Sequence, residues 1–268
     1  MSRQYKALIS DFDNTIAGRD HKIPDNVAAR IKKMETDGYI FTIATGRFYY
    51  GAIRSEAQRL GLKYPLITSG GAELVDPLTG NILWGEYIPK NEFEPIVEYF
   101  LKKDIFFLLE AGEVLYHPSF EDVSRFEPLS KYDSIDNLNA EKATKIVVPA
   151  GMSNFQLEQI IEMEEYLSNR FTDLHVAKIV YGTYYGLDIT SQKASKHVGV
   201  LEWVKHMKMD PADIVGVGDG YNDYPLLTAV GGKVAMGDAP AELKEIADLV
   251  VPTQKESGIL TVFDTYFA

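Results

Sequence analysis

Two aspartates directly follow a short apolar stretch near the start of the chain, in the segment Asp11-Phe12-Asp13-Asn14-Thr15. The preceding residues, Tyr5 to Ser10, predict a buried strand, and open α/β sheets bind ligands at the carboxyl ends of their strands. Paired carboxylates there could supply a nucleophile and a general acid. A calcium loop is excluded because Ile16 and Lys22 occupy positions that need Gly and a bidentate Glu. An ordinary polar loop would fit the pentapeptide alone equally well.

A second group of carboxylates follows another apolar stretch, in the segment Gly218-Asp219-Gly220-Tyr221-Asn222-Asp223. It superficially resembles a dinucleotide-binding fingerprint, but Tyr221 occupies the place of the third glycine and the acids would repel a pyrophosphate. A metal site is the better interpretation, in which the glycines allow a sharp turn and the acids face the same point as Asp11 and Asp13. Hard oxygen ligands of this kind suit Mg²⁺.

Two shorter segments offer groups that bind phosphate. Thr45, Gly46 and Arg47 follow the predicted strand Tyr39 to Ala44, where a hydroxyl and backbone N–H groups can meet a phosphate oxygen. Lys196 lies at the start of a predicted helix in the last third of the chain. Taken singly, the first segment is also typical of an ordinary helix start, and Lys196 of a solvated surface charge.

An alternation of short apolar runs and amphipathic stretches must position these segments, and it predicts βα units with a Rossmann-like, mostly parallel sheet. The alternation covers the first third of the chain and resumes after Ile189, whereas the pattern in between is that of an α+β insert. We therefore predict an α/β fold with a catalytic core at residues 1–84 and 190–268. An inserted α+β cap domain is predicted at residues 85–189.

Several local elements can be predicted in more detail. Asp25 is a plausible N-cap for a helix, and a second helix is predicted from about Phe48 to Leu60. Residues 73–84 predict a hairpin, and a polar stretch from Ser119 to Glu141 follows the first strands of the insert.

The net charge, the apolar runs and the cysteine content exclude several classes of protein and site. The net charge of −12 argues against sequence-independent binding of nucleic acid, which depends on Lys and Arg, and it makes a local cation necessary for any phosphate substrate. The apolar runs are too short to span a bilayer, and residues 1–10 lack the long apolar region of a secretory signal. The absence of cysteine excludes a thiolate site and a cysteine nucleophile. We therefore expect an unprocessed cytoplasmic protein.

Taken in order, the four segments resemble the haloacid dehalogenase superfamily of phosphohydrolases, and the large insert resembles that of its Cof-type, sugar-phosphatase-like branch. The resemblance implies that Asp11 is the nucleophile, Asp13 the general acid/base, Thr45 and Lys196 phosphate-binding groups, and Asp219 a metal ligand. It also implies that Asn222 contacts the phosphate, and that Asp223 contacts the metal or its bound water. Magnesium ligands are thus expected at Asp11, Asp13 (through its backbone carbonyl), Asp219 and Asp223.

Other positions are assigned less directly. Gly46, beside Thr45, is expected to contact the substrate phosphate, and Arg47 and Asp188 a sugar hydroxyl or the leaving group. The five histidines lack zinc-type spacing and are expected on the surface or in packing: His21, His117, His175, His197 and His206. The chain departs from the family pattern at Asn14, where glycine is usual, and at Gly70, where asparagine is usual. Because asparagine tolerates a left-handed backbone, the first departure is compatible with the motif.

The expected activity is magnesium-dependent hydrolysis of small phosphate monoesters, foremost hexose and pentose phosphates, through an aspartyl-phosphate. The inserted domain would act as a cap that excludes water and macromolecules. A phosphosugar mutase of the same superfamily stays open as an alternative, as does a non-catalytic metabolite-binding protein. We expect a monomer that binds neither nucleic acid nor a membrane.

Overall fold

The structure is a computed structural model, and it describes residues 4–118, 129–138, 142–151, 155–181 and 183–268. The chain divides into two compact units, one formed by Met1–Trp84 with Ser195–Ala268 and the other by Gly85–Ala194. We refer to them as the first and second unit.

The strands are β1 Ala7–Ser10, β2 Ile40–Ile43, β3 Leu66–Thr68, β4 Glu73–Val75, β5 Ile82–Gly85, β6 Leu108–Ala111, β7 Val114–His117, β8 Lys131–Ser134, β9 Ala143–Val148, β10 Leu174–Tyr181, β11 Tyr184–Ser191, β12 Ile214–Gly218, β13 Gly232–Ala235 and β14 Leu249–Val250. The helices are α1 Asp25–Thr36, α2 Arg54–Leu60, α3 Lys90–Lys102, α4 Leu157–Arg170, α5 Lys196–Met207, α6 Tyr224–Thr228, α7 Ala241–Glu245 and α8 Ile259–Tyr266.

The first unit is built on a five-stranded sheet with the order β14-β13-β12-β1-β2, in which all neighbours are parallel. Apolar side chains cover both faces, as expected for a parallel sheet. Ile31 of α1 and Phe263 of α8 belong to one buried cluster, and Val200 and Trp203 of α5 belong to another. A short antiparallel sheet, β3-β4-β5, adjoins β2 through a parallel bridge between Ala44 and Ile67.

Strand register brings the carboxyl ends of the neighbouring strands β12, β1 and β2 to the same level. Ser10 of β1 pairs with Val217 of β12 on one side and with Ile43 of β2 on the other. The residues that follow these strands therefore emerge side by side at one edge of the sheet.

The second unit contains a six-stranded mixed sheet with the order β10-β11-β9-β6-β7-β8. Phe93 and Phe100 of α3 and Leu167 of α4 form a buried apolar cluster with strand residues such as Ile146 and Ile189. The prediction of an α/β fold with a Rossmann-like core sheet and an α+β insert is confirmed. Strand β11 extends to Ser191, so the second unit ends after Ala194, whereas residue 190 was expected to begin the core segment.

Two local predictions were wrong in detail. Asp25 is the first residue of α1, and Pro24 takes the N-cap position without a side-chain hydrogen bond. The helix expected from Phe48 is regular only from Arg54, because Tyr50 and Gly51 have non-helical backbone angles. Glycine tolerates such angles since it lacks a Cβ atom.

Much of the predicted polar stretch, at residues 119–128 and 139–141, lies outside the described residues. Within the described part of the chain, no helix combines the length and apolar character needed to cross a membrane.

Candidate active site

Asp11 lies at the carboxyl end of β1, an inner strand of the core sheet. Its backbone N–H donates to the carbonyl of Val217 at 2.9 Å, which continues the pairing between β1 and β12. The side chain is almost completely buried, with 5% of the residue exposed. Burial, and then the neighbouring carboxylate of Asp223, raise the pKa of Asp11 well above its usual value, although Lys196 opposes the shift.

Lys196 is buried rather than a solvated surface charge. It is the first residue of α5, and Ser195 caps that helix by accepting a hydrogen bond from the N–H of Val198. The Lys196 ammonium donates to Oδ1 of Asp11 and to Oδ1 of Asp223, each at 2.5 Å. Burial opposes the charge, but the two carboxylates outweigh it and raise the pKa of Lys196 above its usual value. The two neighbouring carboxylates therefore keep the lysine positively charged.

Asp223 holds the loop that follows β12. Its Oδ2 accepts hydrogen bonds from the backbone N–H groups of Asp219 and Gly220, both at 2.9 Å, while its Oδ1 faces Lys196. A Cβ atom at Gly218 would lie 2.3 Å from the Asp223 Cβ atom, so the close approach of strand and loop requires glycine there. Both oxygens of Asp223 thus have hydrogen-bond donors from the protein.

Asp219 completes the acidic cluster. Its Oδ1 accepts a hydrogen bond from the Thr15 hydroxyl at 2.8 Å. Burial raises its pKa to about 6; repulsion from Asp223 adds to the shift, and the Thr15 hydrogen bond opposes it. Asp11, Asp219 and Asp223 each offer a carboxylate oxygen, and these oxygens lie within 4.8 Å of one another.

The acidic cluster fits a divalent cation. Desolvation and mutual repulsion penalise its negative charge, and a cation would offset both effects. Carboxylate oxygens are the ligands that hard ions such as Mg²⁺ prefer. Because the Asp223 oxygens already accept hydrogen bonds, Asp11 and Asp219 are the better placed ligands, with Asp223 behind them.

The Asp13 side chain does not join the acidic cluster. Its carboxylate forms a bidentate ion pair with Arg47, with Nε to Oδ2 at 2.6 Å and Nη2 to Oδ1 at 2.8 Å. A guanidinium therefore lies directly against this carboxylate. His21, which sequence reasoning placed on the surface or in packing, lies with Nδ1 2.8 Å from Arg47 Nη2. No spacing signal marked His21, because a loop brings it to this position.

The segment after β2 shapes the same edge of the sheet. Thr45 is fully buried, and its hydroxyl accepts a hydrogen bond from the backbone N–H of Arg47 at 3.1 Å. Gly46 links these two residues. Asn222 is exposed on the loop after β12. Asp188 belongs to the second unit, where it forms an ion pair with Lys145 at 3.1 Å.

The two departures from the family pattern both have left-handed backbones. Asn14 has a φ angle of 54°, a conformation that asparagine tolerates better than most residues. Gly70 has a φ angle of 73°, and a Cβ atom there would meet nothing within 4 Å. The backbone at position 70 is therefore compatible with the usual asparagine.

Comparisons with known proteins agree with this geometry. Residues 8–263 match the family described as haloacid dehalogenase-like hydrolase. Phosphatase YwpJ of Bacillus subtilis is 22% identical, over 95% of this chain and 97% of its own length.

Two solved structures share the fold. A haloacid dehalogenase-like hydrolase from Bacteroides thetaiotaomicron has a TM-score of 0.83 at 19% identity, covering 98% of this chain and 100% of that chain. A sugar phosphatase of HAD subclass IIB has a TM-score of 0.78 at 22% identity, and the match covers 97% of this chain and 98% of that chain. The prediction of a phosphoric monoester hydrolase of the Cof-type branch is confirmed, and the chain belongs to the haloacid dehalogenase-like hydrolases.

Proposed function

We propose that this protein is a magnesium-dependent phosphatase that cleaves small phosphate monoesters, foremost sugar phosphates, through an aspartyl-phosphate on Asp11. The contact between Asp11 and Lys196 carries the proposal. A buried carboxylate and a buried ammonium meet at the carboxyl end of β1, beside two further carboxylates. Binding alone does not need a nucleophile, an acid and a cationic group together.

The proposed metal site uses this chain's own oxygen ligands. Asp11 and Asp219 would hold Mg²⁺ through their carboxylates, and Asp13 through its backbone carbonyl. When bound, the ion would act as a Lewis acid that neutralises charge on the phosphoryl group and the nucleophile. Asp223 would orient Lys196 and the loop that carries Asp219.

The residues of the site would share the phosphoryl transfer. An oxygen of Asp11 attacks phosphorus and the bond from phosphorus to the leaving oxygen breaks. Asp13, which must be protonated at this step, gives its proton to the leaving oxygen and becomes a carboxylate. Water then attacks the aspartyl-phosphate, Asp13 takes a proton from the water, and Asp11 is released as phosphate departs. Lys196 and Thr45 would bind the phosphate oxygens, with Gly46 and Asn222 as further contacts, and Lys196 would stabilise the charge that develops on them.

The preference for small substrates is assigned to the second unit, acting as a cap. Its size, Gly85–Ala194, is that of an independent domain. The same fold carries a sugar phosphatase, which supports sugar phosphates as the first class to test. Asp188 and its partner Lys145 provide charged groups suited to hydroxyls of a leaving group.

Phosphate release from a panel of monoesters, with and without Mg²⁺, tests the proposal. Hexose and pentose phosphates should be hydrolysed faster than phosphopeptides or a DNA 3′-phosphate, and borohydride reduction of the quenched enzyme should convert Asp11 to homoserine. A phosphoryl group that moves between sugar hydroxyls without phosphate release would instead identify a mutase. The proposal includes a cytoplasmic location and a monomeric state, which cell fractionation and sedimentation test.

A further inference from the structure

The Asp13 carboxylate and the Arg47 guanidinium form a rigid contact within the first unit. Two parallel hydrogen bonds, at 2.6 and 2.8 Å, engage both carboxylate oxygens. Such a fork fixes the plane of the carboxylate as well as its distance, which a single ammonium contact would not do. The Arg47 side chain is largely buried, with 16% exposed, so solvent screens the contact less than it would screen a surface pair.

The Arg47 backbone is held from two sides. Its N–H donates to the Thr45 hydroxyl at 3.1 Å, and its carbonyl accepts from the N–H of Ser69 at 2.8 Å. The N–H of Gly70 in turn donates to the carbonyl of Thr45 at 3.0 Å. The guanidinium therefore projects from a segment that two neighbouring strand ends hold in place.

His21 contacts the same guanidinium. Its Nδ1 lies 2.8 Å from Arg47 Nη2, and because a guanidinium can only donate, Nδ1 accepts that hydrogen bond. The loop that carries His21 is anchored at Ile23, whose N–H donates to the buried carboxylate of Glu56 at 2.9 Å. Arg59 pairs with the same carboxylate at 2.7 Å.

We infer that Arg47 is a positioning residue that acts through Asp13: it holds the carboxylate in the orientation needed for proton transfer to the leaving oxygen, and it does not bind the sugar. The inference rests on the proposed phosphatase function and replaces the expectation that Arg47 contacts a sugar hydroxyl. An aspartate in acid/base catalysis must lie within about 2.6–3.2 Å of the oxygen that receives the proton. Loss of the fork would leave Asp13 in place along the chain but free to rotate.

A series of leaving groups tests this role. An alkyl leaving group, as in glycerol 3-phosphate, needs protonation, whereas 2,4-dinitrophenolate departs without it. In R47A, kcat/KM for the best alkyl phosphate should fall by about 100-fold, the lower range for general acid catalysis, while that for 2,4-dinitrophenyl phosphate should fall less than about fivefold. R47K should recover little of the loss, because an ammonium cannot form the fork. Equal losses for both substrates would overturn the inference.

A double-mutant cycle provides the second test. If Arg47 acts through Asp13, the variant D13N/R47A should have the same kcat/KM as D13N. If the two residues had independent roles, the fold-losses in kcat/KM of the single variants would multiply. R54A is the matched control, since Arg54 is exposed and lies over the Tyr50 ring, and it should match wild type with both substrates. Multiplicative losses would overturn the inference.

If the protein is not a phosphatase, the outcome differs from that expected if only the role of Arg47 is wrong. In the first case the wild type releases no phosphate from any monoester, and the inferred role in catalysis falls with it. Thermal unfolding of D13N, R47A and the double variant would still reveal the contact, because coupled residues shift the melting temperature non-additively. Active wild type with additive melting shifts would overturn the inference alone.

Discussion

Lys196 and Asp223 form an ion pair in which both side chains are inaccessible to solvent, at 2% and 1% exposure. The same ammonium contacts Asp11, so one positive charge faces two negative charges. Removing one member of a buried pair leaves an uncompensated charge and is costly. The lysine therefore contributes to the stability of the site as well as to phosphate binding.

Replacement of Lys196 should expose both roles. K196A should lower kcat/KM by at least about 100-fold, as loss of a group that faces developing charge does in other enzymes. It should also lower the melting temperature in the absence of Mg²⁺, because Asp11 and Asp223 lose their shared cation. K205A, a change at an exposed lysine of the same helix, is the control for both measurements. A loss of activity below twofold in K196A would contradict the assignment.

The two aspartates of the first motif should respond differently to substitution. D11N should fold and lose essentially all turnover, because an amide cannot form the aspartyl-phosphate and weakens one metal contact. D13N should also be severely impaired but should keep Mg²⁺ binding, since only its backbone carbonyl is assigned to the ion. Titration calorimetry with MgCl₂ separates the two variants. Lost Mg²⁺ binding in D13N would contradict the backbone assignment.

The raised pKa of Asp219, about 6, predicts a pH dependence of stability. The folded state binds this proton more tightly than the unfolded state, whose aspartate has an ordinary pKa of 3.8. Stability from this group is therefore fully present below pH 4 and is lost as pH rises towards 6. In the presence of a chelator, the difference in melting temperature between wild type and D219N (wild type minus variant) should fall as the pH rises from about 4 to about 6. Excess MgCl₂ should reduce the fall, and a difference that rises with pH would refute the prediction.

Gly71 and Gly70 offer a test of how α5 is positioned. Both have left-handed backbones, but a Cβ atom at Gly71 would lie 2.1 Å from the carbonyl oxygen of Ser195, whereas one at Gly70 would meet open space. G70A should cost about 1 kcal/mol in the free energy of unfolding. G71A should cost about 1–3 kcal/mol more, because the clash displaces the start of the helix that carries Lys196. Urea unfolding measures both, and equal costs would mean that the contact is relieved without strain.

The sequence predicted the acidic cluster because the rule that joins its parts is topological. Parallel strands align their carboxyl ends, so Asp11 and Asp219 were expected at the same edge of the sheet once both strands were recognised. The contact between Asp13 and Arg47 could not be predicted in this way. A long arginine side chain can reach several partners from one backbone position, and packing in the folded chain decides among them.

Loop conformation limited the prediction elsewhere. His21 reaches Arg47 because its own backbone is left-handed, with a φ angle of 58°. The presence of a histidine in the sequence does not predict that conformation. The helix after Arg47 likewise begins late because Gly51 departs from helical angles, although the apolar pattern continues through it. Both features depend on single backbone torsions that periodicity does not encode.

Removal of the metal should abolish activity. Without the ion, the carboxylates of Asp11, Asp219 and Asp223 repel one another. Among the described residues of the cluster, Lys196 then provides their shared positive charge. Chelation should stop phosphate release, and Mg²⁺ should restore it. Ca²⁺ should restore it poorly, since its larger and more flexible coordination loosens the alignment of Asp11 with phosphorus. D219N should need more Mg²⁺ for half-maximal activity and for its shift in melting temperature, whereas D238N, outside the cluster, should behave as wild type. Equal rates with Mg²⁺ and Ca²⁺, or full activity in the chelator, would show that these carboxylates do not hold a catalytic ion.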